Sequence, residues 1–393
     1  MLFQPLDEKR FAGVYAEGRL HRDMPKGITA TWRFCDYLSD RDILYASLYC
    51  GGKSLTEACP PPLFDRWNEA SKRVSAHISA CQLSKVDLNS YTFLELIPGR
   101  LLVEFLDLKN EITEHVLREY PKPKNYSFLC DLECLVAKIR ARKLNINLTT
   151  LRPHLTTVRA RSAYKRIQAA KPIIDYDVWG TKTGRLTVKR GAFPILTLDK
   201  QFRSAIEPSN DLFLELDFNA AELRTVLALL NKEQPSGDIH EWNIENVFSG
   251  SETREQAKKK VFAWLYNPER KDPELDKMYD RDAVVRKYFN GSQVSTFFSR
   301  MIPADSKHAL NYIIQSTTSD LLLKRAIEID KMLDEKKSKV AFTLHDSLII
   351  DFSIEDKKMI PELIRTFSET DLGKYVVNVS AGKNFGNMRT LNI

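Results

Sequence analysis

Cysteine is absent after residue 134, and long apolar runs are absent throughout the chain. The 6 cysteines that occur form no CxxC pair, so a zinc site is poorly supported and reduced, mostly buried thiols are expected. No apolar run approaches the roughly 20 residues that a membrane-spanning helix needs. The first residues, MLFQPLDEKR, lack the basic, apolar and small-residue pattern of a secretory signal. We therefore expect no membrane partner and a cytoplasmic location, in the host cytoplasm if the chain is viral.

Length and charge narrow the class of protein. A chain of 393 residues with 43% hydrophobic residues is long enough for two or three domains with sizeable cores. The net charge of +7 fits a nucleic-acid partner without requiring one. Because every cysteine lies in the first 134 residues, we expect the first third of the chain to be a separate unit.

Two apolar segments each carry one aspartate at a position that a strand would bury. Residues 212–230 begin as a strand that ends at Asp217 and then turn into a helix, and residues 341–352 are predicted as a second strand that carries Asp346. A buried carboxylate needs a partner, and a metal ion is one such partner. Taken alone, an aspartate at either position more often caps a turn or forms a salt bridge at the end of a strand. Together with the segments between them, the two predict a site for divalent metal.

The helix predicted after residue 253 has one charged and aromatic face. Its pattern repeats every four residues and drifts only about 40° per step, so its two cations and two rings share that face. Such a face suits a nucleoside triphosphate, with phosphates at the cations and a base at the rings. An amphipathic helix with aromatic residues in the core is the alternative. Asp238 is a predicted helix cap, and either Ser251 or Thr253 is predicted to cap the next helix. The four residues are Arg254, Lys258, Phe262 and Tyr266.

Two further features are candidates for nucleic-acid contacts. The sequence TGR marks a tight turn that presents Arg185. A long helix predicted at about 305–336 carries Asn311 and Gln315 one turn apart. Paired amides can read the edges of base pairs in a groove, although amides on a helix more often face water.

Four separated blocks resemble the polymerase portion of the family A DNA polymerases, the bacterial DNA polymerase I type that is also found in many phages. The resemblance covers roughly residues 175–393, and its order and spacing make it specific although each block alone is weak. The blocks are TGRL at 183–186, DFNAAELR at 217–224 (family pattern DYSQIELR), REQAKKKVFAWLY at 254–266 (R-x3-K-x3-F-x3-Y) and HDS at 345–347 (HDE).

The resemblance implies a template-directed DNA polymerase that extends a primer 3′-hydroxyl with dNTPs by a two-metal-ion mechanism. Two Mg²⁺ ions, with Mn²⁺ as a substitute, would bind Asp217, Asp346 and the carbonyl of Phe218. Primed template DNA and dNTPs are the implied partners, and a helicase, a primase or a processivity factor stays open. The residues implied for the dNTP are His240, Arg254, Lys258, Phe262, Tyr266 and Glu222, of which Glu222 excludes a 2′-hydroxyl. The residues implied for DNA are Arg185, Arg224, Asn311, Gln315 and His345.

The chain also departs from the family pattern. Ser347 stands where the family has glutamate, so a third carboxylate near the metals is missing. Phe262 in place of tyrosine predicts discrimination against dideoxynucleotides. No exonuclease carboxylates are recognisable upstream. We therefore expect a compact, phage-like polymerase without proofreading, in which residues 1–90 are a reduced exonuclease-like remnant.

The expected fold class is α+β, a right-hand polymerase with an antiparallel palm sheet and helical fingers and thumb, together with a small N-terminal α/β segment. A basic helix is predicted at 153–170, in the thumb. Its basic side chains either contact phosphates of a nucleic acid or only face solvent. The predicted division is an N-terminal segment at 1–90, a thumb at 91–171, palm at 172–235, fingers at 236–304 and palm again at 305–393, with the long helix and the second catalytic motif.

Two other functions compete with this interpretation. A single-subunit RNA polymerase shares the palm and the two aspartates, but Glu222 argues against it because a ribonucleotide enzyme needs room at that position. A catalytically inactive nucleic-acid-binding protein with a polymerase fold has no use for metal carboxylates together with Arg254 and Lys258. No feature of the sequence supports a structural or capsid-associated protein.

Overall fold

The computed structural model describes residues 1–8, 10–88, 90–267 and 269–391. The chain divides into two compact units, residues 1–134 and 135–393. Among the described residues, no helix combines the length and the apolar character that a membrane span requires. The finer division into N-terminal segment, thumb, palm and fingers stays a prediction.

The first unit is built from short strands and helices, the last of which continues into the second unit. Its elements are β1 (Phe3–Pro5), β2 (Val14–Ala16), β3 (Arg19–His21), β4 (Ala30–Thr31), β5 (Leu44–Tyr45), α1 (Ala46–Tyr49), α2 (Leu55–Ala58), α3 (Phe64–Leu83), α4 (Phe93–Leu96), α5 (Gly99–Glu119) and α6 (Tyr126–Ala141).

The expected small N-terminal segment of mixed strands and helices is confirmed. Strands β1, β2 and β3 form an antiparallel sheet, and β4 pairs with β5 in parallel. Helix α5 presents Leu108, Ile112 and Val116 at helical spacing, and these side chains share a core with Trp32 and Trp67. Residues predicted to begin a thumb therefore pack with the N-terminal strands in this unit.

The second unit contains one larger sheet, several two-stranded pairs and the longest helix of the described residues. Its strands are β6 (Asn145–Ile146), β7 (Tyr176–Asp177), β8 (Thr187–Val188), β9 (Ile206–Glu207), β10 (Leu212–Phe218), β11 (Gln293–Ser295), β12 (Met301–Pro303), β13 (Lys339–Leu344), β14 (Ser347–Phe352), β15 (Glu369–Thr370), β16 (Gly373–Lys374), β17 (Val377–Gly382) and β18 (Arg389–Thr390). Its remaining helices are α7 (Val158–Ala169), α8 (Ala221–Leu229), α9 (Ile239–Asn246), α10 (Arg254–Tyr266), α11 (Pro273–Tyr279), α12 (Arg281–Tyr288), α13 (Ser306–Met332) and α14 (Ile360–Ser368).

The larger sheet is the antiparallel palm sheet that the sequence predicts. Its strand order is β13-β14-β10-β17-β18, with every neighbouring pair antiparallel. Strand β10 lies at the centre, and its Phe218 ring stacks on Phe367 of α14 at a centroid distance of 4.2 Å. Helix α13, which Asp305 caps, contacts α8, α14 and β13 and so packs beside this sheet.

The segment 341–352 is a β-hairpin and not the single strand that its apolar pattern predicts. Strands β13 and β14 meet at the pair Leu344↔Ser347, with His345 and Asp346 as the two turn residues. His345 adopts a positive φ of 53°. Asp346 therefore lies in a turn between strands. The sequence did not predict this turn because the segment lacks the glycine that usually marks a two-residue hairpin loop.

The basic helix is shorter than the predicted range 153–170. Residues Leu148–His154 form a 3₁₀ helix, and α7 begins only at Val158. The Thr157 side chain accepts a hydrogen bond from the backbone N–H of Ala160 at 3.1 Å and so caps α7.

Candidate active site

The two aspartates predicted to bind metal lie side by side at one end of the palm sheet. Asp217 pairs in register with Ser347, the first residue of β14. Asp346 immediately precedes Ser347, and its carbonyl accepts a hydrogen bond from the backbone N–H of Phe218 at 3.3 Å. Antiparallel pairing thus brings together two acids that are far apart in the sequence.

Burial raises the pKa of both carboxylates. The pKa of Asp217 is raised to about 6, chiefly by burial and also by the negative charges of Glu215 and Asp346. A hydrogen bond that Asn378 Nδ2 donates to Asp217 Oδ2 at 3.3 Å opposes this rise. Burial also raises the pKa of Asp346, against the effect of nearby positive charges. A cation placed between the two acids would relieve both the burial cost and the repulsion.

The donor atoms suit a hard cation that binds together with a substrate. Among the described residues, no cluster of three or more His, Cys, Asp or Glu surrounds a common metal position. Mg²⁺ usually keeps several waters and binds through one or two carboxylates plus substrate phosphates. Asp217, Asp346 and the Phe218 carbonyl are oxygen donors of this kind. They fit Mg²⁺, or Mn²⁺, bound with a triphosphate better than they fit a metal held by protein alone.

A third carboxylate, which the sequence analysis did not select, lies on the same strand. Glu215 is two residues before Asp217, and alternate side chains of a strand share a face. Burial raises the pKa of Glu215, while a hydrogen bond from Ser347 and the charges of Arg203 and Lys200 lower it. The sequence Glu-Leu-Asp places the two acids two residues apart, and on a predicted strand this spacing could have indicated that Glu215 lies beside Asp217.

Asp238 ties the predicted triphosphate-binding helix to the turn that follows β10. It caps α9 by accepting a hydrogen bond from the backbone N–H of His240 at 2.9 Å, and it accepts another from Arg254 Nη2 at 2.7 Å. Asn219 Nδ2 donates to the same carboxylate at 3.1 Å. Burial alone would raise the pKa of Asp238, but these bonds hold it well below its usual range. The head of α10 is therefore linked to the strand that carries Asp217.

The cations and rings of α10 share one face, as the four-residue spacing predicts. Thr253 caps the helix in a capping box with Gln256. The rings of Phe262 and Tyr266 are parallel, with centroids 6.0 Å apart, and the His240 ring lies 5.9 Å from that of Phe262. The side chains of Arg254, Lys258 and Tyr266 are exposed, and Phe262 is partly buried.

His240 is the most enclosed of the predicted triphosphate ligands. Its residue is 4% exposed, and its Nδ1 has no hydrogen-bond partner among the described residues. Burial lowers the pKa of His240; the charge of Asp238 opposes this, and those of Arg254 and Lys258 add to it. The imidazole is therefore neutral at pH 7 and keeps one unused polar atom.

A buried ion pair holds the TGR turn. Gly184 has φ +76°, and a Cβ built there would lie 2.5 Å from the Arg300 Cζ. Arg300 binds Asp320 through two hydrogen bonds of 2.7 and 3.1 Å, and both residues are buried. The next residue of the turn, Arg185, donates Nη2 to Oε1 of Glu222 at 2.5 Å. The turn thus places Arg185 against the first turn of α8.

Three of the residues predicted to contact DNA retain accessible or unused polar groups. Asn311 and Gln315 are four residues apart on α13, which puts them on the same side of the helix, and both are partly buried. Asn311 Oδ1 has no hydrogen-bond partner among the described residues. His345 is exposed in the hairpin turn beside Asp346.

Arg224 does not fit the DNA contact that the resemblance implies. The residue is 0% exposed. Its guanidinium donates to the backbone carbonyls of Asn219, Pro235 and Gly237 at 2.8, 2.7 and 2.6 Å. A side chain committed in this way stabilises the connection between β10 and α9, so Arg224 is not retained as a DNA ligand.

Comparison with known proteins supports this architecture through structure alone. The sequence matches no protein-family model and no curated protein. Among solved structures, the fold is similar to the POL domain of Pol1 from M. smegmatis, which was solved in complex with a DNA primer-template and dNTP. The TM-score is 0.62 at 12% sequence identity, over 88% of this chain and 82% of that chain. The resemblance to family A polymerases is therefore confirmed at the level of the fold: the chain has the fold of a polymerase domain.

Proposed function

We propose that the chain is a template-directed DNA polymerase that extends a primer 3′-hydroxyl with dNTPs. The observation that carries this proposal is the adjacency of Asp217 and Asp346 at one end of the palm sheet, in a chain with the fold of a polymerase domain. The link from Asn219 through Asp238 to Arg254 adds a second element, because it connects the acidic strand to a cationic helix face.

Asp217 and Asp346 hold two Mg²⁺ ions together with the carbonyl of Phe218. When bound, these ions lower the pKa of the primer 3′-hydroxyl and stabilise charge on the transferring phosphoryl group and the leaving pyrophosphate. The two carboxylates must be ionised for this task. Although the pKa of Asp217 is raised to about 6, it still lies below neutral pH, so cation binding at pH 7 releases few protons from this group.

The dNTP binds along the exposed face of α10. Arg254 and Lys258 contact its phosphates, and His240 offers a neutral imidazole beside them. Phe262 and Tyr266 form a stacking surface near the sugar and the templating base. Glu222 lies under the sugar, where its carboxylate excludes a 2′-hydroxyl.

The primer-template contacts Arg185, Asn311 and Gln315 through the minor groove at the primer terminus. Hydrogen-bond acceptors occur in similar places for all base pairs in that groove, so such contacts accept any sequence. His345 lies beside the primer end. The basic helix α7 contacts phosphates of the duplex, which makes binding sensitive to salt.

The enzyme lacks proofreading, and the first unit carries no exonuclease activity. We interpret residues 1–90 as a reduced exonuclease-like remnant; this stretch contains a three-stranded antiparallel sheet and a short parallel strand pair. A 3′→5′ degradation assay on labelled primed DNA tests this, and loss of primer nucleotides under polymerase conditions would contradict it. A helicase, a primase or a processivity factor stays open as a partner.

Primer extension on primed DNA with Mg²⁺ and dNTPs tests the proposal directly. The variants are Asp217→Asn and Asp346→Asn, and the matched control is Asp282→Asn, an exposed acid on α12. We expect both palm variants to lose extension and the control to keep it. An intact protein that binds primed DNA without extending it would instead support the inactive binding protein.

The same assay separates DNA from RNA synthesis. A DNA polymerase incorporates dNTPs much better than rNTPs on the same template, whereas a single-subunit RNA polymerase shows the reverse. Because Phe262 stands where the family has tyrosine, we also expect the protein to incorporate ddNTPs less readily than dNTPs. Primer extension with each type of nucleotide tests this.

A further inference from the structure

The carboxylate of Asp238 is fully used within the fold. Its Oδ1 accepts hydrogen bonds from the backbone N–H groups of His240 and Glu241 at 2.9 and 3.0 Å. Its Oδ2 accepts from Asn219 Nδ2 at 3.1 Å and from Arg254 Nη2 at 2.7 Å. An ionised carboxylate offers about four lone-pair positions, so these donors occupy all of them. Asp238 is therefore held in one orientation.

The segment before Asp238 is tied to the end of the palm strand β10. The buried guanidinium of Arg224 donates to the carbonyl of Asn219, in the turn after β10, at 2.8 Å. It also donates to the carbonyls of Pro235 and Gly237 at 2.7 and 2.6 Å. Because Gly237 directly precedes Asp238, one buried arginine fixes the backbone at Asp238 relative to the palm.

Arg254 is the first residue of α10, and its half-exposed side chain depends on Asp238 for its position. Asp238 is the hydrogen-bond partner of its guanidinium among the described residues. The other acid near it, Glu255, lies 3.8 Å from Nη1 and is itself largely exposed. A guanidinium carries several N–H donors in a fixed fork, so the bond from Nη2 leaves donors free for phosphate oxygens.

We propose that Asp238 is a positioning residue that fixes the Arg254 guanidinium, relative to Asp217 and Asp346, before a dNTP binds. This inference rests on the proposed function. A long side chain that is already ordered removes an entropic cost from substrate binding. The effect therefore belongs to the affinity for the triphosphate. Asp238 itself touches no reacting atom.

The opposite role for Asp238 predicts the opposite sign. If the carboxylate withheld Arg254 from the phosphates, dNTP binding would have to break the ion pair, and removal of the charge would tighten binding. Two features favour positioning. The lone pairs of Asp238 are saturated by donors from the fold, and Arg254 keeps free N–H groups while the bond is intact.

Asp238→Asn tests the inference, because asparagine caps a helix as well as aspartate does but does not form the ion pair. Complex formation on a synthetic primer with a dideoxy 3′ end gives the Kd for dNTP without catalysis, and single-nucleotide extension gives KM and kcat. We expect Kd and KM to rise about 5- to 10-fold, as the loss of one pre-ordered side chain implies, and kcat to change less than about threefold.

Two comparisons separate this effect from a general disturbance. Damage to the turn beside Asp217 would lower kcat instead of raising KM. Asp272→Asn, which changes the acidic cap of α11 in the same way, is the matched control and should alter neither quantity. Circular dichroism establishes that each variant is folded, and Asp238→Ser, with another strong cap residue, replaces Asp238→Asn if that variant is unfolded.

A double-mutant cycle establishes whether Asp238 acts through Arg254. In the Arg254→Ala background, Asp238→Asn should change the Kd for dNTP by less than about twofold, because the residue it positions is gone. In the Lys258→Ala background it should keep its full effect, since Lys258 is not among the donors to Asp238.

Three outcomes overturn the inference alone, if the wild type extends primers. They are an unchanged or lower Kd in Asp238→Asn, a loss confined to kcat, and an equal rise of Kd in the presence and absence of the Arg254 side chain. A wild type that extends no primer and forms no complex with dNTP on primed DNA overturns the proposed function, and this inference with it. A rise of Kd and KM that disappears in the Arg254→Ala background supports it.

Discussion

The carboxylate of Glu222 accepts a hydrogen bond from Arg185 at 2.5 Å, and the Glu222 side chain is only 8% exposed. The residue proposed to select the sugar is therefore fixed by the residue proposed to contact the primer. A side chain held in one position rejects an extra hydroxyl better than a mobile one, because it cannot move aside at low cost. Arg185 must loosen this contact, or share it, when DNA is bound.

Glu222→Ala should admit ribonucleotides. Removing the carboxylate opens space under the sugar, so we expect the preference for dNTP over rNTP to fall by about 10-fold or more. Single-nucleotide extension with each substrate gives the two kcat/KM values. Glu241→Ala, an exposed acid on α9, is the control and should leave the ratio unchanged. An unchanged ratio in Glu222→Ala would remove this residue from sugar selection.

Asp217→Asn should stabilise the metal-free protein at pH 8. The native pKa of about 6 lies above the ordinary value of an aspartate, so the native state binds the proton more tightly than the unfolded state does. Stability is then lost as the pH rises from about 4 to about 6. The variant avoids this loss, and we expect a gain of about 1 to 3 kcal/mol at pH 8 that shrinks towards pH 5.

Urea denaturation in EDTA at the two pH values measures this gain. Mg²⁺ should then stabilise the wild type and leave Asp217→Asn unchanged, because only the wild type binds it. A variant less stable than wild type at pH 8 would contradict the pKa, and equal stabilisation by Mg²⁺ would contradict the metal site.

Local side-chain patterns predicted the elements around this site well. Asp238 was recognisable as a cap, and the structure confirms it. For the next helix the sequence left Ser251 and Thr253 as candidates, and Thr253 is the cap in the structure. The four-residue spacing on α10 placed its cations and rings on one face. The hairpin at His345 was missed because a non-glycine residue takes the positive φ. Whether a non-glycine residue adopts a positive φ depends on its tertiary contacts, so the local sequence does not predict it.

Apart from the adjacency of Asp217 and Asp346, contacts between distant segments could not be predicted. Arg224 satisfies carbonyls from two separate segments, and nothing in its local sequence distinguishes that role from a DNA contact. The position of Glu215 relative to Ser347 follows from the register of β10 on β14, which only the folded sheet defines. The same is true of the pair Arg300 and Asp320 beneath the TGR turn.

Lys258→Ala should weaken dNTP binding more than Lys259→Ala does. Lys258 has an exposed ammonium on the face of α10 that carries Arg254 and Phe262, whereas Lys259 points about 100° away. A lost charge-assisted hydrogen bond is worth about 1.5 to 3 kcal/mol, so we expect the KM for dNTP to rise about 10-fold or more. Lys259→Ala has the same change in net charge and should alter the KM less than about twofold. Equal effects of the two variants would mean that only net charge matters.

Gly184→Ala should displace the TGR turn, and Gly191→Ala is its matched control. Both glycines have positive φ, +76° and +86°, so alanine strains the backbone at either position by about 1 to 2 kcal/mol. No heavy atom lies within 4 Å of a Cβ at Gly191, whereas a Cβ at Gly184 would meet the guanidinium of Arg300. That guanidinium cannot move freely, because Asp320 holds it in a buried bidentate pair.

The extra cost at Gly184 therefore measures the contact with Arg300. We expect Gly184→Ala to lower the free energy of unfolding by about 1 to 3 kcal/mol more than Gly191→Ala, as overpacking against a fixed group does. Because Arg185 follows directly in the chain, Gly184→Ala should also weaken binding of primed DNA, while Gly191→Ala should not. Urea denaturation and fluorescence anisotropy with labelled primer-template give the two quantities. Equal losses of stability in the two variants would show that Arg300 yields to the added methyl group, and the buried pair would then not be what positions Arg185.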